Sequence, residues 1–157
     1  MVTDLFDSLL QELGEAMEIE DLHADANNTC LIVFETSLEV YIEPHEKGDF
    51  LLICTDLGRV PPGRYREDVF REALKSNGLP YPRNGTFGYS EQSDHLLFFG
   101  LLSLKELNGE KIATFLHPFM EKALIWKQSI EGGEVPVADT MKTGRTTGPA
   151  GLFGLRP

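Results

Sequence analysis

Four histidines, two cysteines and a scatter of carboxylates are the residues of this 157-residue chain whose types suit chemistry, and their spacing decides what chemistry is open to them. His23, His45, His95 and His117 stand far apart, and no HxH, HExxH or CxxC pairing sets two metal ligands on one face. No metal is expected. Cys30 and Cys54 each lie inside an apolar run, where a thiol behaves as a small buried hydrophobe. A cysteine nucleophile needs an exposed, electropositive setting instead, and no GxSxG elbow offers a serine one. Gly85 with Gly88, and Gly144 with Gly148, lack the lysine and strand context of a phosphate loop. Glu18, Glu20 and Asp21 are spaced for acid-base work in a hydrolase, but surface acids in such a chain are ordinarily solvated. The expectation is a protein without catalytic residues or cofactor, one that binds rather than transforms.

The elements that position these residues follow from periodicity. Leu5, Phe6, Leu9, Leu10 and Leu13 recur at helical spacing, with Thr3 placed to cap and Gly14 near the finish. Three runs of strand character follow, residues 29–35, 38–43 and 50–55, in a meander. In the second, Leu38, Val40 and Ile42 share one face and Glu39, Tyr41 and Glu43 the other; the first and third are apolar on both faces. Such strands are either covered on both sides or left open for a partner. After Pro61, Pro62 and Gly63, residues 64–76 read as a helix with Val69, Phe70, Ala73 and Leu74 on one stripe. Residues 86–90 and 95–100 pair as a hairpin, and Asn108 caps a last helix whose Pro118 predicts a bend or break near His117. The fold class is α+β: an antiparallel, twisted sheet of about five strands packed with three helices, in the order α-β-β-β-α-β-β-α.

Composition agrees with one globular domain. Hydrophobic residues make up 41% and charged residues 25%, and no apolar run nears the roughly 20 residues that span a bilayer. A chain this size buries about 70% of its unfolded surface. The net charge of -11 argues against nucleic-acid and anionic-membrane partners, because phosphate binding needs basic clusters. Residues 1–60 hold fourteen acids and two bases, whereas residues 61–130 hold eight acids and nine bases. An acidic first half keeps an apolar-faced protein soluble and steers basic partners toward it. The start of the chain shows no basic, then apolar, secretory pattern, so a cytoplasmic location is expected. From Glu131 glycine and proline accumulate, which marks residues 131–157 as a tail on a domain of residues 1–130.

Several segments in this order resemble a known family. Leu9 to Gly14, LLQELG, resembles an opening LLxxLG pattern; Phe70 to Gly78, FREALKSNG, a second helix ending in an LxxN turn; Gly85 to Leu102 the hairpin after it; and Ala123 to Lys127, ALIWK, a closing stretch with an aromatic before a base. Together they resemble the class I type III secretion chaperones, the Tir-chaperone-like family, over residues 1–130. The resemblance implies a bacterial, cytoplasmic homodimer that holds the N-terminal region of secreted effectors extended and non-globular, keeping them soluble and competent for secretion. It implies no ATP; the secretion ATPase is a further candidate partner. Pro118 and the glycine-rich tail depart from the family pattern.

On this reading the cargo-binding residues are Leu5 and Leu9 of the first helix with Cys30, Ile32, Phe34, Val40 and Ile42 of the strands, whose apolar faces would hold anchors of an unfolded client. Each position would serve equally as ordinary core. The dimer interface is expected from Val69, Phe70, Ala73 and Leu74 with Phe87 and Tyr89. A chaperone fold serving as adaptor or regulator outside secretion is the alternative, because fold does not fix function.

Overall fold

A computed structural model describes residues 2–80 and 84–138, with side chains from Leu5 onward. The expected order is present: α1 (Val2–Met17), β1 (Cys30–Val33), β2 (Glu39–Pro44), β3 (Phe50–Arg59), α2 (Arg64–Asn77), β4 (Thr86–Ser90), β5 (His95–Ser103) and α3 (Gly109–Glu131). The five strands form one antiparallel sheet in the order β1-β2-β3-β5-β4, so β1 and β4 are its edges. All three helices lie on one side of it. There Phe6, Leu10 and Leu13 of α1, Val69 of α2 and Leu116, Phe119 and Trp126 of α3 bury themselves against Val40, Ile53 and Phe98. Aromatic rings link the layers, with Trp126 over Phe87 at 4.1 Å, Phe87 beside Phe98 at 4.6 Å and Phe98 stacked on Phe119 at 4.8 Å.

Several local features differ from the sequence reading. Strand β3 runs four residues further than expected, to Arg59, because a bulge between Asp56 and Gly58 absorbs an extra residue. Gly58 takes the positive φ of 111° this requires, and its N–H is held by Asp56 Oδ1 at 2.8 Å. In α1, Gly14 does not end the helix, which continues to Met17. Its hydrogen faces the Ile19 carbonyl, which would stand 2.7 Å from a Cβ, so the glycine lets the chain fold back onto the helix. Thr3 lies inside α1 rather than before it.

Helix α3 is unbroken through Pro118. A mid-helix proline costs about 3 kcal/mol, and burial of Leu116, Phe119, Ala123 and Trp126 around it offsets that. Its start is capped as expected, Asn108 Oδ1 accepting from Lys111 N at 2.8 Å. At its other end the chain does not become a loose tail at once. Residues 132–138 run along α2, with Tyr65 Oη donating to the Glu134 carbonyl at 2.7 Å and Ala138 N donating to Glu72 Oε1 at 2.9 Å. Pro136 and Ala138 are buried. The packed body therefore extends to Ala138, beyond the boundary at residue 130; the rest of the expected tail, residues 139–157, lies outside the described residues.

Candidate binding surfaces

Strand alternation separates two faces of the sheet, and only one is covered. Because β1 pairs with β2 in the register Cys30 to Ile42 and Ile32 to Val40, these four side chains share a face, and it is the helix-bearing one. Cys30, Ile32, Val40 and Ile42 are thus core, together with Leu9 of α1. Within the single chain they take the ordinary-core role that the sequence left open for each of them. Leu5 remains exposed and Phe34 half-buried at the end of β1.

Among the described residues, no helix lies on the opposite face. One row crosses it as Leu31, Tyr41, Cys54 and Phe99, each directly opposite the next, and a second as Leu52 and Leu101 beside Glu43. Leu101 is 46% exposed and Val33, at the end of β1, 61%. Leu52, Cys54, Leu97 and Phe99 are half-buried on it. Glu39, Glu43 and Asp56 punctuate this face, and Tyr41 Oη donates to Glu39 Oε1 at 3.4 Å. These outward residues were not singled out from the sequence. The signal was present: β2 has one polar face, and hairpin pairing carries that assignment onto both faces of β1 and β3.

A second surface lies between α2 and β4, where Phe70, Leu74, Asn77, Gly88, Tyr89 and Leu96 line a groove of roughly 230 Å³. Of the expected interface residues, Val69, Ala73 and Phe87 are buried within the chain, whereas Leu74 is 69% exposed. Phe70 and Tyr89 meet edge-on in the groove at 4.9 Å. Asn77 fixes the groove's floor, its amide donating to the Phe87 carbonyl at 3.0 Å while its Oδ1 accepts from Phe87 N at 2.8 Å. That side chain thereby blunts the free edge of β4. Tyr89 Oη donates to Asp94 Oδ1 at 2.5 Å, and Arg66 reaches the same carboxylate at 3.3 Å. The Tyr89 hydrogen bond and then the Arg66 and Arg59 guanidinium groups hold the Asp94 carboxyl below its ordinary range, while that bond pushes the tyrosine up. Lys122, buried and donating to Ser76 Oγ, ties α3 to the end of α2.

The residues considered for chemistry are dispersed or solvated. Glu18, Glu20 and Asp21 are exposed around an open acidic cleft at the end of α1. Burial, and then neighbouring carboxylates, push both thiols up to about 11, so Cys30 and Cys54 are protonated and weakly nucleophilic at neutral pH. Among the described residues, no three His, Cys, Asp or Glu side chains converge as a metal site, and no helix is long and apolar enough to cross a membrane.

A helix-backed sheet whose other face is apolar offers a surface suited to binding another chain. The family model described as the Tir chaperone protein (CesT) family matches residues 8–127, and the chain belongs to that family. The expected kinship with class I type III secretion chaperones is thereby met. Solved structures share the fold at low identity. The complex described as the Yersinia pestis type III secretion chaperone SycH with a stable fragment of YscM2 matches with a TM-score of 0.58 and 19% identity, over 76% of this chain and 97% of that one. For a chain of the ExsC-ExsE complex the TM-score is 0.63 and the identity 16%, over 82% and 95%. For the ExoT-SpcS complex of Pseudomonas aeruginosa the values are 0.58 and 16%, over 76% and 94%. No curated protein matches the chain.

Proposed function

We propose that the protein is a bacterial, cytoplasmic chaperone of type III secretion that holds the N-terminal region of an effector extended and unfolded across the bare face of its sheet. The observation that carries this reading is that face itself, an apolar surface left uncovered in a strongly acidic member of the family. An extended client would set alternate apolar side chains against Leu31, Tyr41, Phe99 and Leu101 and add backbone hydrogen bonds at a strand edge. Solved structures of this fold support it: the SycH complex is described as a secretion chaperone with a fragment of another protein, and a further one, HopA1-SchA, with a TM-score of 0.60 and 14% identity, as a chaperone-effector complex.

Acidic residues of the first half raise the capture rate of a basic client, while apolar contacts set how long it stays. Calorimetric titration with N-terminal effector segments tests this. Leu101→Asp places a charge opposite an apolar anchor and should weaken binding at least about tenfold. Unchanged affinity, with circular dichroism showing an intact fold, would remove the sheet face from the mechanism.

The protein acts as a homodimer in this reading, a second copy covering the groove around Leu74. An exposed leucine above a preformed apolar trough is the arrangement that a two-fold partner closes. Light scattering should give twice the 17.5 kDa chain mass. Leu74→Asp should halve it, and a monomeric mass for the unaltered protein would contradict the dimer.

A further inference from the structure

We propose that Glu39 and Asp56, side by side on the outward face of the sheet, select clients that carry a lysine or arginine two residues from an apolar anchor. The inference rests on the reading of that face as the client site, and adds to it which client side chain meets which part of the face.

Strand register sets the acid pair. Val40 pairs with Thr55 in the antiparallel β2 and β3, so Glu39, just before the one, and Asp56, just after the other, are cross-strand neighbours on the outward face. Both are exposed. Carboxylates opposite one another destabilise a sheet, and the strands hold little to offset them. All five together carry no lysine and a single arginine, Arg59, whose guanidinium reaches Asp94 at 3.6 Å. The pair is nonetheless held firmly. Asp56 opens the bulge of β3, its Oδ1 accepting from Gly58 N at 2.8 Å, and His95 Nδ1 stands 2.7 Å from Oδ2. A bulge re-aims the side chain beside it. Thr55 Oγ donates to the Glu39 carbonyl at 2.6 Å, and Tyr41 Oη donates to Glu39 Oε1 at 3.4 Å. An ionised carboxylate has about four acceptor sites, so both keep room for a cation from another chain.

The rest of the face fixes what must accompany that cation. Two residues along the strands from the acid pair lies the row of Tyr41, Cys54 and Phe99, and two further on the row of Leu52 and Leu101. Rows on one face repeat about every 6.8 Å, the interval at which an extended client presents alternate side chains. A client lying along β2 and β3 with a base over Glu39 and Asp56 thus sets its residue two positions on over Tyr41 and Cys54. The residue four positions on meets Leu52. A base moved by one position points away from the face and loses the contact. Because apolar side chains adjoin the pair, the ion contact is partly shielded from water and slows release of the client. Acids remote from this face, such as Glu15 and Glu18 at the end of α1, act at a distance on the rate of capture alone.

The test uses immobilised synthetic peptides and the full-length protein. In the matched peptide a lysine is followed by leucine two and four residues later, with serine elsewhere. A second peptide has the lysine moved by one position, a third has serine in its place, and a fourth has glutamate. Interferometry should show the matched peptide released about fivefold more slowly than the second and third. Glu39→Gln with Asp56→Asn, which keeps an acceptor for Gly58 N, should abolish that difference. Glu39→Lys with Asp56→Asn should invert the preference toward the glutamate peptide. Glu15→Gln with Glu18→Gln should slow association and leave the release ratio intact. Equal release of the matched and second peptides, no inversion by the charge-reversed variant, or a release ratio lost in the remote variant would each overturn the proposal. Binding that needs leucine but ignores the lysine's position overturns it alone and leaves the face as the client site. Binding of none of the peptides would remove the face as the client site and the proposal with it.

Discussion

At Gly109 the first helix and the last touch backbone to backbone, and no side chain fits between them. A Cβ there would stand 2.3 Å from the Glu12 carbonyl carbon and 2.5 Å from Leu13 N, atoms that cannot swing aside. The Gly109 N–H also donates to Glu12 Oε1 at 2.9 Å, so the residue both admits α1 and is capped by it. Gly109→Ala should push the helices apart, at a cost of about 2 kcal/mol or more, and lower the melting temperature by at least about 4 °C. Calorimetry reads it; Gly48→Ala is a poor control despite the empty space around it, because its φ of 80° strains any side chain. A sequence shows glycine before a helix but not the second helix it must admit, which joins residues far apart in the chain. Asn77 is a similar case. It read as a helix terminator, and its side chain in fact satisfies the backbone of Phe87 on a strand ten residues on.

Element order was legible because each element carries its own period: helical spacing in α1 and α3, alternation in β2, turn residues around the β4-β5 hairpin. What each strand face meets was less so. In β1 and β3 both faces are apolar, and local alternation cannot say which of them the helices cover; only the pairing with β2 decides. Of the client residues expected from the sequence, Cys30, Ile32, Val40 and Ile42 lie on the buried face and Leu9 is buried in α1, whereas Leu5 is exposed and Phe34 half-buried. The extension after α3 is the second element whose behaviour composition obscured. Gly132 and Gly133 look like the start of a loose tail, yet they turn the chain so that Pro136 and Ala138 bury against α2. Two buried small residues and two hydrogen bonds contribute about 1–2 kcal/mol. Removing residues 133–157 should then lower the melting temperature by about 3–6 °C. An unchanged melting temperature would show that this segment adds nothing to the body.

At the scale of the whole molecule, three helices cover one side of a sheet and, among the described residues, none covers the other, in a chain of net charge -11. A monomeric enzyme would have little use for such a face; a protein whose client remains unfolded needs one, since an unfolded segment offers apolar side chains in a line rather than a shaped surface. The most direct measurement follows leucine and isoleucine methyl signals by nuclear magnetic resonance while an effector N-terminal segment is added. The account predicts that the methyls of Leu31, Leu52, Leu97 and Leu101 shift strongly and together, while those of Ile32, Ile42 and Ile53, on the covered face, move little. Shifts concentrated on the covered face would contradict it, because the client would then have entered the core between sheet and helices and left the bare face untouched.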